Sequence, residues 1–285
     1  MKSYELGLYE KAMPGTLSWP EKMQAAKRAG YDFIEISIDE TDAKLERLEM
    51  SREERQRLAD QMWEQEMPIR SMCLSGHRKY PIGSEKDAVR QRGMEIMGKA
   101  VELADDLGIR IIQLAGYDVY YEEGNERTRE LFLENLRRAA LMAADRGILL
   151  GFETMETEFM NTVEKAMKYV KLVDSPYLHV YPDLGNITNA AVSCGKNVLD
   201  DLDTGRGRII AMHLKETVPG KFREIPFCTG HVDFEGGIRR AWELGVRRYV
   251  TEMWYTGNPD WEKDLDFAVH TMRAILDKQD EEGTC

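Results

Sequence analysis

Eight short runs rich in apolar and β-forming residues recur along the chain, and longer stretches with apolar residues three and four apart separate them. The runs are Leu6–Tyr9, Phe33–Ile38, Pro68–Leu74, Ile111–Ala115, Leu149–Glu153, Leu178–Pro182, Ile209–Leu214 and Tyr249–Met253. Between them, stretches such as Ala88–Leu107 carry Val89, Met94, Ile96, Met97, Ala100, Val101 and Ala104 at helical spacing. Strand and helix in strict alternation is the pattern of parallel βαβ units. Several helical stretches stop at a glycine just before the next strand, at Gly30, Gly108, Gly147 and Gly245, as a left-handed C-terminal cap requires.

An eightfold alternation in 285 residues matches the roughly 250 residues of a (β/α)8 TIM barrel. No Gly/Ser/Pro-rich linker divides the chain, so residues 1–285 read as one α/β domain, with a polar C-terminal tail from about Asp277 to Cys285. A doubly wound open sheet would carry a glycine-rich phosphate turn after its first strand. Tyr9-Glu10-Lys11-Ala12-Met13-Pro14 stands there instead.

Bulk properties remove several function classes. A formal charge of −12 and the lack of a basic stripe argue against nucleic-acid backbone binding. The apolar runs are far shorter than the roughly 20 residues that span a bilayer. Met1–Leu8 has no basic segment followed by an apolar one, so a cytoplasmic protein is expected. Cys73, Cys194, Cys228 and Cys285 lack paired spacing and read as free thiols, Cys73 as a small core residue.

In such a barrel the chemistry sits at the C-terminal ends of the strands. Strands five to eight end in Gly151-Phe152-Glu153, Tyr181-Pro182-Asp183, Ala211-Met212-His213 and Val250-Thr251-Glu252. One strand-end acid alone is more often a helix cap or an ion-pair partner. Three acids and an imidazole on one rim imply a cation, because desolvating those charges unpaired is costly. Oxygen-rich donors suit Mn²⁺ or Mg²⁺, and the imidazole keeps Zn²⁺ open. His179 and His270 fall in contexts that favour ordinary structural roles.

Gly7–Ala12, Met72–Arg78, Ile112–Tyr121, Tyr181–Asn186, His213–Thr217 and Thr251–Trp254 together resemble, in order and over nearly the whole chain, the xylose-isomerase-like barrel superfamily. Within it they look like the L-ribulose-5-phosphate (L-xylulose-5-phosphate) 3-epimerases of L-ascorbate utilisation. The resemblance implies one divalent ion on Glu153, Asp183, His213 and Glu252, chelating O2 and O3 of the sugar. It also implies that Glu153 and Glu252 face opposite sides of C3 and exchange its proton through an enediolate. A homodimer is expected from the same resemblance. Removing the C3 hydrogen of a 2-ketose requires stabilisation of the charge developing on O2, which a Lewis acid supplies.

For the substrate phosphate, the resemblance and local chemistry point to Lys11 after the first strand and to Ser75, His77 and Arg78 after the third. Lys215, Lys221 and Arg223 after the seventh compete, since barrel phosphate sites often use the last two loops. Tyr117, Tyr120, Tyr121 and Trp254 fall at the rim, where packing is the expected role for most. The leading expectation is an isomerase acting on a five-carbon ketose phosphate. Another epimerase of the superfamily, an endonuclease IV-type nuclease and a non-enzymatic sugar-binding barrel are the alternatives. The nuclease would need more His and Asp ligands and a basic DNA face than five histidines and a charge of −12 supply.

Overall fold

The structure, a computed structural model, describes residues 2–282. The expected eight strands form one parallel sheet in the order β6-β5-β4-β3-β2-β1-β8-β7. They are β1 (Glu5–Tyr9), β2 (Phe33–Ile38), β3 (Ile69–Leu74), β4 (Ile111–Ala115), β5 (Leu149–Glu153), β6 (Leu178–Val180), β7 (Met212–Leu214) and β8 (Arg248–Thr251). The helices between and after them are α1 (Trp19–Ala29), α2 (Asp42–Leu45), α3 (Arg52–Glu64), α4 (Asp87–Asp106), α5 (Glu126–Ala144), α6 (Val163–Val173), α7 (Leu184–Cys194), α8 (Val198–Thr204), α9 (Phe234–Glu243) and α10 (Trp261–Glu282). Gly30, Gly108, Gly147 and Gly245 all have positive φ, as their helix-ending positions require.

β6 and β7 are shorter than their apolar runs, because Pro182 has no N–H to give to a ladder. The ring is joined there by isolated parallel bridges, Val180 with Ile209 and Asp183 with His213. The His213 N–H donates to the Pro182 carbonyl at 2.9 Å, which sets those two side chains side by side.

Period-two alternation divides the strand residues between two apolar clusters. Leu6, Leu8, Ile34, Ile36, Met72 and Leu74 pack against the surrounding helices in the large one. Tyr9, Phe33, Cys73, Ile111, Tyr181, Ala211 and Val250 form the small one, which fills the barrel interior. Residues of the same parity towards the strand ends therefore turn inward too.

The loop after β1 is pinned by Glu10, buried and ion-paired to Lys22, Lys44 and Arg47. Burial alone would raise its carboxyl, but Arg47 and Lys44 outweigh that and hold it down at about 2. The C-terminus departs from the expected tail. α10 runs on through Glu282, because the segment is made of good helix formers, buries Gln279, and ties Asp277 to Lys2 and Tyr4. Cys285 lies outside the described residues.

Candidate active site and metal centre

Glu153 ends β5 and His213 sits in β7, while Asp183 and Glu252 follow β6 and β8 by a few residues or fewer. All four are buried, and one ligand atom from each lies within 4.8 Å of the others. His213 Nδ1 is 3.1 Å from Glu252 Oε2 and 3.9 Å from both Glu153 Oε1 and Asp183 Oδ2. This brings together the four strand-end residues expected from the sequence. Among the described residues, no second group of three or more His, Cys, Asp or Glu side chains has ligand spacing.

Asp183 does two jobs. Its Oδ1 caps α7 by accepting from the Asn186 N–H at 2.6 Å, while Asn186 donates its amide to the Thr154 carbonyl. The first turn of α7 comes so close to the next loop that a Cβ on Gly185 would meet the Lys215 carbonyl oxygen at 2.7 Å. Asp183 Oδ2 has no hydrogen-bond partner of good geometry, although Lys215 Nζ lies 3.0 Å away.

Electrostatics in this cluster are unfavourable without a cation. Burial and the Glu252 charge push Glu153 up to about 8, and burial with the same neighbour raises Asp183 to about 7 against the pull of Lys215. Glu252 keeps its charge, since Lys215 and His213 outweigh the burial that would raise it. His213 is pulled up by Glu35 and Glu252 despite its burial. Three such close carboxylates titrate as a group. Crowded acids, an imidazole within reach of all of them and an Asp183 oxygen left unbonded fit a divalent ion.

Glu153 and Glu252 open into a small cavity of about 70 Å³. Lys11, Ser75 and Arg78 line it from the loops after β1 and β3, and Lys215 and Arg223 from the loop after β7. The two competing phosphate sets thus share one cavity, apart from one member of each. His77 turns away, buried, with its Nε2 3.0 Å from the Gly93 carbonyl, and burial lowers its pKa to about 4. Lys221 is exposed on a turn that bridges back to Val218. Lys11 is ion-paired to Asp39.

Sequence reasoning missed several residues here. Glu156 receives bonds from Tyr117 at 3.2 Å, Tyr120 at 3.0 Å and Arg223 at 3.3 Å, while Arg78 donates to the Tyr117 hydroxyl at 3.1 Å. Tyr117 and Tyr120 therefore hold charges at the rim as well as packing. Tyr121 is exposed and bonded to Glu40. Trp254 walls the cavity, edge-on to Tyr9 and within 6.0 Å of Lys215 and Arg223. Glu35 and Gln113, inside β2 and β4, both reach His213. Their signal was a polar residue at inward parity within an apolar strand.

His179 and His270 bond to backbone carbonyls, of Pro176 and Asp266, and His231 to Thr217. Cys194 and Cys228 are exposed free thiols, and buried Cys73 lines the cavity next to Glu153.

With this geometry in view, known proteins place the chain. The family described as Xylose isomerase-like TIM barrel matches residues 23–273. L-ribulose-5-phosphate 3-epimerase UlaE of Escherichia coli is 44% identical over 254 residues, covering 89% of this chain and 88% of its own. Putative L-ribulose-5-phosphate 3-epimerase SgbU of Escherichia coli is 47% identical over 261 residues, covering 89% and 90%. Among solved structures, an L-ribulose 3-epimerase aligns with a TM-score of 0.78 at 17% identity, over 99% of this chain and 97% of that one. D-allulose 3-epimerase from Methylomonas sp. in complex with D-allulose aligns with a TM-score of 0.77 at 20% identity, over 96% and 98%. At those identities the structures speak for the fold, while the sequence relatives carry the assignment. The chain belongs to the xylose isomerase-like TIM barrel family.

Proposed function

We propose that the protein is an isomerase, a divalent-metal-dependent 3-epimerase that interconverts L-ribulose 5-phosphate and L-xylulose 5-phosphate. The observation that carries this reading is the buried meeting of Glu153, Asp183, His213 and Glu252 at the floor of a cavity lined by Lys11, Arg78, Lys215 and Arg223. The names of the sequence relatives support the substrate.

Glu153, Asp183, His213 and Glu252 would hold the ion. Bound there, it would supply Lewis-acid stabilisation for charge developing on the ketose oxygens. The remaining work falls to the chain. Glu153 and Glu252 come from β5 and β8, with β6 and β7 between them, and they reach the cavity from either side of His213. A sugar whose C3 lies between them has one carboxylate on each face. One removes the C3 proton, and the other, protonated, returns a proton to the opposite face, which inverts the centre. Trp254 and Tyr9 wall the cavity and exclude water from this exchange.

Arg78, Ser75 and Lys11 hold the phosphate. Lys11 is released from Asp39 to do so, and Arg78 is already set in place by Tyr117 and by the Tyr120 ring 4.8 Å away. His77, committed to Gly93, contributes no charge. A cytoplasmic homodimer belongs to the same reading; no helix among the described residues is long and apolar enough to cross a membrane.

Metal analysis tests the centre. Wild-type protein should carry about one divalent ion per chain, and His213→Ala should lose most of it. Undiminished stoichiometry in that variant would remove His213 from the site, and epimerisation that survives exhaustive chelation would refute metal dependence.

A further inference from the structure

Glu35 is a carboxylate in the middle of the apolar run Phe33-Ile34-Glu35-Ile36-Ser37-Ile38, with no exposure to water. Neither the four ligand positions nor the cavity lining accounts for it. A carboxylate so placed is retained only if its oxygens are bonded. Ser71 donates to Oε2 at 2.7 Å and Tyr181 at 3.0 Å, which leaves Oε1 turned to His213 Nε2 at 2.6 Å. The β2–β3 register slips between Ile34 and Glu35, and this irregularity sets Glu35 opposite Ser71.

We propose that Glu35 is a positioning residue for metal binding: it fixes the proton of His213 on Nε2 and leaves Nδ1 as the nitrogen offered to the ion. The inference rests on the reading of Glu153, Asp183, His213 and Glu252 as a divalent-ion site. A carboxylate oxygen accepts, so the imidazole must donate from Nε2. Nδ1, 3.1 Å from Glu252 and facing Glu153 and Asp183 as well, is then the nitrogen placed to meet the ion among the other three ligands. Gln113 cannot make this selection, since its Nε2 lies 3.1 Å from one ring nitrogen and 3.3 Å from the other. Tyr181 acts twice, bonding Glu35 and standing at 71° to the His213 ring with centroids 5.0 Å apart. A ligating histidine whose second nitrogen is held by a carboxylate binds metal more tightly because ring orientation and tautomer are set beforehand.

The test is calorimetric titration of Mn²⁺ into metal-stripped protein, with His213→Ala as the control. Glu35→Leu removes the acceptor and should weaken Mn²⁺ binding by about 10- to 100-fold. Glu35→Gln keeps the shape and an acceptor oxygen and should recover part of that loss. In the Zn²⁺-loaded wild type, long-range ¹H–¹⁵N spectra should show His213 protonated at Nε2 and ligated at Nδ1. If Glu35→Leu fails to fold by circular dichroism, the Ser71→Ala/Tyr181→Phe double variant, which frees Glu35 from its anchors, should show several-fold weaker Mn²⁺ binding. Unchanged affinity in the folded variants, or ligation through Nε2, overturns the role of Glu35. A wild-type protein that binds no Mn²⁺ overturns the metal centre itself.

Discussion

Lys215 Nζ stands 3.0 Å from Asp183 Oδ2, with both side chains buried, and it also lies 3.2 Å from Glu252. Without a metal ion this ammonium offsets the charge of two of the three clustered acids. Lys215→Met should therefore destabilise the chelator-treated protein by about 3 kcal/mol, the usual scale for leaving a buried charge without its partner. Added Mn²⁺ should restore most of the loss. Urea midpoints with EDTA and with Mn²⁺ measure the difference, and an equal loss in both conditions would mean that Lys215 does not compensate the acids.

The cavity contains both sets of cations that the sequence left in competition. Arg78→Ala should raise KM for the phosphorylated pentulose by roughly tenfold, the scale of one charge-assisted hydrogen bond, and change that of the unphosphorylated sugar far less. Lys221→Ala should do neither, because Lys221 is exposed on a turn. Should Arg223→Ala show the selective loss instead, the phosphate belongs to the loop after β7.

His77 should behave as a core residue. Its pKa falls to about 4 through burial, against about 6.5 in the unfolded chain. Between these values the unfolded state binds the extra proton, so stability is full above about pH 6.5 and declines as pH drops towards 4. The loss from this one group is roughly 3 kcal/mol. His77→Asn should flatten that part of the stability–pH curve without separating phosphorylated from unphosphorylated substrates. A selective rise in KM for the phosphorylated sugar would return His77 to the phosphate site.

On the proposed two-base reading, Glu153 and Glu252 divide the proton transfer. Glu→Gln at either position keeps the size but cannot accept and return a proton. Each variant, if it retains metal, should lose epimerisation in both directions and exchange the C3 hydrogen of one substrate epimer only. ¹H NMR in D₂O reads both quantities. Full epimerase activity in either metal-loaded variant would rule out two bases.

The barrel was legible because an eightfold alternation with glycine stops leaves few other packings, and a rim of candidate ligands follows once strand ends are located. The β6–β7 closure was less so: Pro182 interrupts hydrogen bonding inside an apolar run that reads as continuous strand. Strand parity places Glu35, Gln113 and Glu153 on the inner face, yet Glu35 lies in mid-strand, where the strand-end rule for barrel chemistry does not point. The orientation of His77 is unreadable for a different reason. Its loop position was readable, but whether the ring turns to the cavity or to Gly93 depends on packing between β3 and α4, which sequence spacing does not encode. Glu156 joins side chains from two other loops, after β4 and after β7, and had no local signature at all.

Proton exchange at C3 by a metal-dependent site is read in one experiment, ¹H NMR of L-ribulose 5-phosphate with the Mn²⁺-loaded protein in D₂O, followed after quenching and metal removal. L-xylulose 5-phosphate should form with deuterium at C3, and EDTA should stop both conversion and label. Conversion without deuterium at C3, or inversion at another carbon, would contradict proton exchange at C3.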